Sequence, residues 1–346
     1  MNRFGYALRK SVLAMAVLAL PMAAVAEEEP QPSAEDVARE ALQQKDTDAT
    51  AEKNLEEVFQ ASEKQYSLLN AGDIGVTFGG NYSYYRDDRI DINIDEDGGE
   101  VNRFRIENDA QHSFGASLSL DYGIWNNLTF STYLPVSYRF DTQKDASQAA
   151  LGDVSFSLRY QPFPVRVGGV NTTLYTTLST ATGDSPYEIN TMNEVSSGKG
   201  YYSLGGGVSM SKVVDPVVLF GSVGYTHAFD ATDLQQVRVS RILEEVQTGD
   251  SLSFSFGLAY SLSYEVSLSA SYQQSYNFET TFLFSNDERA TSEDSTSSVV
   301  NMSLGLRTAK NRIVNFSFGY GLTEDSPDVL LGMSIPVDIK GLKTGI

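Results

Sequence analysis

Residues 251–272 read SLSFSFGLAYSLSYEVSLSASY. Leu252, Phe254, Phe256, Leu258, Tyr260, Leu262 and Tyr264 alternate with Ser251, Ser253, Ser255, Gly257, Ala259, Ser261 and Ser263. Successive side chains of a strand point to opposite faces, so a period of two makes one face apolar and the other small and polar. Twelve such runs follow Asp73, at about 73–85, 112–123, 127–140, 151–163, 169–181, 200–212, 217–229, 251–264, 266–284, 297–309, 312–322 and 327–338. Most exceed ten residues. Strands of soluble proteins have about 5–6 residues, whereas a tilted strand crossing a bilayer needs about 9–11.

The connections alternate in length. Those at 86–111, 141–150, 182–199, 230–250 and 285–296 are long, while 124–127, 164–168, 213–216, Glu265 and 310–311 are short. Only 323–327 departs from the alternation. Long loops on one side and tight turns on the other mark an outer-membrane barrel, and an even strand count puts both ends of the wall on the turn side. A secreted β-sandwich would explain the alternation but not the strand lengths or the loop pattern.

One face carries uncharged apolar rows such as Phe114, Ala116, Leu118 and Leu120, or Val300, Met302, Leu304 and Leu306. This is the predicted lipid face, where a mid-bilayer Lys or Arg costs about 2–4 kcal/mol. Aromatics gather near both strand ends: Tyr82, Tyr84, Tyr138 and Tyr320 toward the long loops, and Tyr122, Trp125, Tyr160 and Phe163 toward the turns. Rings with an apolar body and a polar edge favour the two membrane interfaces. The opposite face is rich in Ser and Gly, and its charged members Asp121, Arg139, Arg159, Glu279 and Arg307 are the candidate pore-lining residues. The sequence does not say which of them meet.

The chain begins with a basic stretch (Arg3, Arg9, Lys10), an apolar run from Ser11 to Leu20 and the small-x-small site Ala24-Val25-Ala26. Residues 1–26 therefore read as a secretory signal peptide; the run is shorter than the roughly 17–25 residues of a spanning helix. Its removal takes away three of the 25 basic residues and leaves 22 against 45 acidic ones. With no basic stripe there is no nucleic-acid partner to expect, and with no cysteine there is neither a disulfide framework nor a thiolate zinc site.

Residues 27–72 hold 12 acidic and 4 basic side chains and only two aromatics. A helix over about 49–69 would align Leu55, Val58, Phe59, Ser62, Tyr66 and Leu69 on one face. Such a face calls for a partner, either the barrel mouth as a plug or a second copy through a coiled coil. Residues 73–339 are the predicted barrel and 340–346 a periplasmic tail.

Two further features suggest chemistry. Asp91, Asp95, Asp97 and Glu100 in the stretch DDRIDINIDEDGGE are weak candidate Ca²⁺ ligands, but the Glu that would close a calcium loop is replaced by Phe104. A solvated acidic loop explains the stretch as well. His227 stands three residues before Asp230, a conceivable water-activating pair on the loop-side rim. No nucleophile elbow or zinc-helix motif is present, and the expectation is a protein with no catalytic residues and no cofactor.

LGDVSFSLRYQPF (151–163), TATGDSPYE (180–188) and GLTEDSPDVLLGMSIPV (321–337) resemble segments of outer-membrane barrels of the phenol meta-pathway degradation type. That resemblance spans roughly 73–338 and implies a twelve-stranded Gram-negative outer-membrane channel, with members associated with hydrophobic or aromatic compounds. A helical periplasmic segment before such a barrel also resembles the functional-amyloid secretion channel, which implies that residues 49–72 act as a plug. The final KGLKTGI lacks the terminal aromatic usual for assembly. The sequence thus predicts an all-β, twelve-stranded antiparallel up-and-down barrel with an N-terminal helical segment in the periplasm. It would be a passive channel for small solutes, possible alternatives being a polypeptide secretion channel or an adhesive barrel.

Overall fold

The structure is a computed structural model that describes residues 68–94, 101–141, 146–164, 169–189, 194–214, 216–238, 241–263, 265–285, 288–309 and 312–337. Seventeen strands occur among them. They are β1 (Ile74–Ile94), β2 (Val101–Trp125), β3 (Leu128–Asp141), β4 (Ala146–Leu151), β5 (Ser155–Tyr160), β6 (Val170–Ser179), β7 (Ser203–Val214), β8 (Val217–Ala228), β9 (Gln236–Arg238) and β10 (Arg241–Gln247). These are followed by β11 (Ser251–Ser261), β12 (Val266–Asn277), β13 (Thr281–Phe284), β14 (Arg289–Thr291), β15 (Ser295–Ala309), β16 (Arg312–Gly321) and β17 (Val329–Val337).

Every wall strand pairs antiparallel with its neighbours, in the ring order β1, β2, β3, β4 with β5, β6, β7, β8, β11, β12, β15, β16, β17. Strand β1 closes the ring by pairing with both β2 and β17. The fourth wall position is split. The lower half of β3 pairs with β5, from Leu128↔Tyr160 to Tyr133↔Ser155, and its upper half with β4, from Val136↔Leu151 to Asp141↔Ala146. The result is the predicted twelve-stranded closed barrel, in which closure leaves no long edge unpaired.

The outer face is apolar. Phe78, Phe114, Val136, Met210, Val223, Phe256, Met302 and Phe318 are all exposed, Val223 by 58 % and Met302 by 60 %. In water such a surface would be a severe liability, whereas in lipid it is the required one. Trp125 (62 % exposed) and Phe163 (64 %) stand at the turn side.

Four predicted loops hold strands, one of them 141–150 with β4. The connection at 86–111 continues β1 and β2 as one ladder from Ile74↔Tyr122 to Ile94↔Val101, with Asp91 opposite Arg105 and Arg89 opposite Glu107. The repeat Ile90, Ile92, Ile94 against Asp91 and Asn93 has the period of a strand, which its acidity concealed. The connections at 230–250 and 285–296 supply β9, β10 and β14, and with β13 these build a second, four-stranded sheet. It has its own core of Ala231, Leu234, Leu243 and Val246, against which Tyr187, Tyr201, Phe282 and Phe284 pack. The run predicted over 266–284 accordingly breaks after Asn277.

Candidate functional site

The lumen is asymmetric. On the flank formed by β6, β7, β8 and β11 it is filled: Val218 and Phe220 are buried with Ala259. Tyr175 lies across the glycines of two neighbouring strands, its hydroxyl in the space that a Cβ at Gly207 or Gly224 would occupy. On the flank formed by β1–β3 and β15–β17 the lumen is open. A cavity of about 300 Å³ is lined there by Asn81, Ser117, Tyr133, Ser303, Asn315 and Ser317, with glycine backbone between them.

The open flank follows from register. Inward-facing cross-strand partners pair a glycine with a small polar residue: Asn81↔Gly115 and Gly79↔Ser117, Ser267↔Gly305, Asn301↔Gly319 and Ser317↔Gly332. At each pair the polar side chain leans over the glycine, into the volume a Cβ would need. The wall stays low, and hydroxyl and amide groups lie along it instead of projecting into the lumen.

The charged residues occupy the two ends. Near the turns, Arg159 Nη2 stands 2.7 Å from Asp121 Oδ1 and donates to Ser131 Oγ at 2.6 Å. Ser131 Oγ donates to the same carboxylate oxygen. Asp121, Ser131 and Arg159 lie on β2, β3 and β5, so this ion pair reaches across a strand. Arg307 belongs to the inward row of β15, opposite Ile313 and just beyond Gly305↔Asn315, and its amide donates to the Glu265 carbonyl at 2.8 Å. Near the long loops, Arg139 Nη1 donates to the Ser196 carbonyl at 2.6 Å. Glu279 stands exposed in the connection between β12 and β13, beyond the wall.

The segment before β1 enters this lumen. Asp73 N donates to the Asn70 carbonyl at 3.0 Å, and Gly72 has φ +82°, which makes residues 70–73 a tight turn needing glycine at its third position. The turn sends the chain back against the inner wall. Leu69 N donates to Thr129 Oγ1 at 2.9 Å, Gly72 N to the Gly123 carbonyl at 2.8 Å, and the Leu69 side chain sits beside Gly75 and Asp121. A Cβ at Gly123 would collide with the Asn70 carbonyl. Leu69, placed by its periodicity at the end of a helix, is not helical. Leu55, Val58, Phe59, Ser62 and Tyr66 lie outside the described residues.

At the split wall position the loop residues supply the missing partners. Gly183 N (3.0 Å) and Lys199 N (2.7 Å) both donate to the Asp153 carboxylate. Val154 N donates to Thr182 Oγ1 at 2.9 Å, and Ser197 Oγ to the Leu151 carbonyl at 2.9 Å.

The rim histidine is partnered differently from the sequence expectation. His227 Nδ1 is 2.8 Å from Asp250 Oδ1, while Asp230 accepts from Thr248 N. Asp250 also accepts from the Tyr225 hydroxyl and from Ala228 N at 3.1 Å. These donors, Tyr225 first, hold its carboxyl below the usual carboxylate range, against a smaller opposing effect of desolvation. Of the weak Ca²⁺ candidates, Asp91 lies in β1, and Asp95, Asp97 and Glu100 lie outside the described residues.

No family model matches the chain. Among solved structures it is similar to the COG4313 outer membrane channel from Pseudomonas putida F1, at 14 % identity and a TM-score of 0.57, covering 78 % of this chain and 97 % of that one. The translocator domain of autotransporter NalP from Neisseria meningitidis matches at 9 % identity and TM-score 0.47, over 85 % and 98 % of the two chains. A TodX monoaromatic hydrocarbon channel matches at 10 % and 0.42, over 81 % and 91 %. The first of these likenesses shows the fold: a closed antiparallel β-barrel of the outer-membrane kind.

Proposed function

We propose that this chain is a passive channel in the outer membrane of a Gram-negative bacterium, passing small solutes down their gradient. The observation that carries the reading is the open flank of the lumen, with its cavity of about 300 Å³. A barrel with a purely structural task gains nothing from a lumen left open on one side, since a packed interior is the more stable one. The filled flank of Tyr175, Val218 and Phe220 speaks for small solutes over an extended polypeptide.

The N-terminal segment is the stopper in this reading, entering from the periplasmic side. The turn at 70–73 lays Leu69 against the inner wall, its amide donating to Thr129 Oγ1, at the end from which residues 27–67 lead. Catalysis has no part in it. Planar-bilayer conductance of the mature chain and of a chain lacking residues 27–67 tests both ideas. A closed full chain with a steadily conducting truncation is the expected result. Equal conductance removes the stopper, and silence from both removes the channel.

A further inference from the structure

The open cavity has a chemical character beyond its size. Apart from Tyr133, Met333 and glycines, every residue that lines it carries a hydroxyl or an amide. None is charged. Toward the turns Asp121 and Arg159 are paired with each other, and Arg307 stands beyond Gly305 and Asn315 rather than in the lining. An ion would therefore leave water here without a counter-charge, and a purely apolar molecule would strip water from hydroxyls and amides without replacing its hydrogen bonds. A neutral molecule with several hydroxyls suffers neither loss.

Tyr133 adds the second half of the recognition. It stands in the inward row of β3 opposite Ser119 and Ser155, and it remains 40 % exposed inside the barrel. It is the one aromatic among the residues that line the cavity. A ring of this kind gives a flat apolar surface beside polar groups, which suits a saturated ring carrying apolar C–H on its faces and hydroxyls on its rim. We infer that the cavity between Tyr133 and the Ser303–Asn315–Ser317 wall is a selectivity site for neutral polyhydroxylated ring solutes of monosaccharide size, with Tyr133 as its specificity-determining residue. This rests on the channel reading.

The chain contains no cysteine, so Ser303→Cys places a single thiol in the cavity. The full mature chain carrying it, reconstituted in vesicles, is treated with the neutral reagent methyl methanethiosulfonate with or without about 100 mM D-glucose, a concentration suited to millimolar affinity. Labelling is expected, and glucose should slow it about threefold, as a Kd of about 50 mM gives at that concentration. Sodium gluconate and toluene should not slow it. Tyr133→Ala in the same background should abolish protection and Tyr133→Phe should keep it. Labelling that glucose does not slow, or slows equally in Tyr133→Ala, overturns the selectivity site while the channel stands. Protection by toluene in place of glucose overturns it in favour of apolar solutes. A thiol that labels only after unfolding, both in the full chain and in one lacking residues 27–67, overturns the channel reading and this site with it.

Discussion

Asn81 lies over Gly115, its partner in the next strand, so that the Asn81 amide fills the volume a Cβ at residue 115 would take. The same relation recurs at Gly79 with Ser117 and at Gly332 with Ser317. These pairs set the width of the open flank. Gly115→Val is expected to push Asn81 into the lumen and narrow it. The cost of such overpacking is about 1–3 kcal/mol. Single-channel conductance should fall while the barrel still migrates as a folded species on unheated gels. An unchanged conductance would mean that the solute path lies elsewhere in the barrel.

The barrel was legible because a period of two over runs of ten or more residues, with alternating loop lengths, has few other solutions. The lumen was not. Alternation marks Arg159, Asp121 and Arg139 as inward charges, but pairing needs register. Arg159 meets Asp121 from two strands away, and Arg139 meets a loop carbonyl. The Gly115–Asn81 relation is likewise invisible until the strands are aligned. Alternation continues across Asn277 and so carries the predicted strand through Glu279, but β13 beyond it belongs to the loop sheet. Proximity in sequence pairs His227 with Asp230, whereas the β8–β11 ladder brings Asp250 to it.

The Asp121–Arg159 pair makes a second prediction. Arg159 is buried, and removing one partner leaves the other charge uncompensated, a loss of about 3–5 kcal/mol for a buried pair. Asp121→Asn and Arg159→Met should each lower the urea midpoint of unfolding in detergent. The double variant should recover much of the loss, because replacing both charges removes the penalty. Additive losses would show that the two side chains are not coupled.

Asp153 ties the loop of residues 180–200 to the break in the wall by accepting from Gly183 N and Lys199 N. Asp153→Ala leaves both amides without that acceptor and removes the tie. Lys199 is exposed, so trypsin added outside intact cells should cut after it about tenfold faster in the variant, as expected when a local opening becomes about 1.4 kcal/mol easier. Cleavage at the wild-type rate would mean that the remaining contacts, such as Ser197 to Leu151, hold the loop alone.

The Asp250 cluster gives the pH dependence. Hydrogen bonds from Tyr225, Ala228 and His227 hold the Asp250 carboxyl below the usual carboxylate range. A depressed acid contributes stability that is fully present above its unfolded pKa and is lost as pH falls through its folded pKa. The β8–β11 rim should therefore be stable through neutral pH and loosen only in acid below the ordinary carboxylate range. In Tyr225→Phe the largest cause of the depression is gone, so loosening should begin at higher pH. Amide hydrogen exchange at Ala228, whose N–H donates to Asp250, followed as a function of pH in both proteins, checks this. If the two profiles coincide, the tyrosine does not govern the titration, and the rim is held by the strand ladder rather than by its carboxylate.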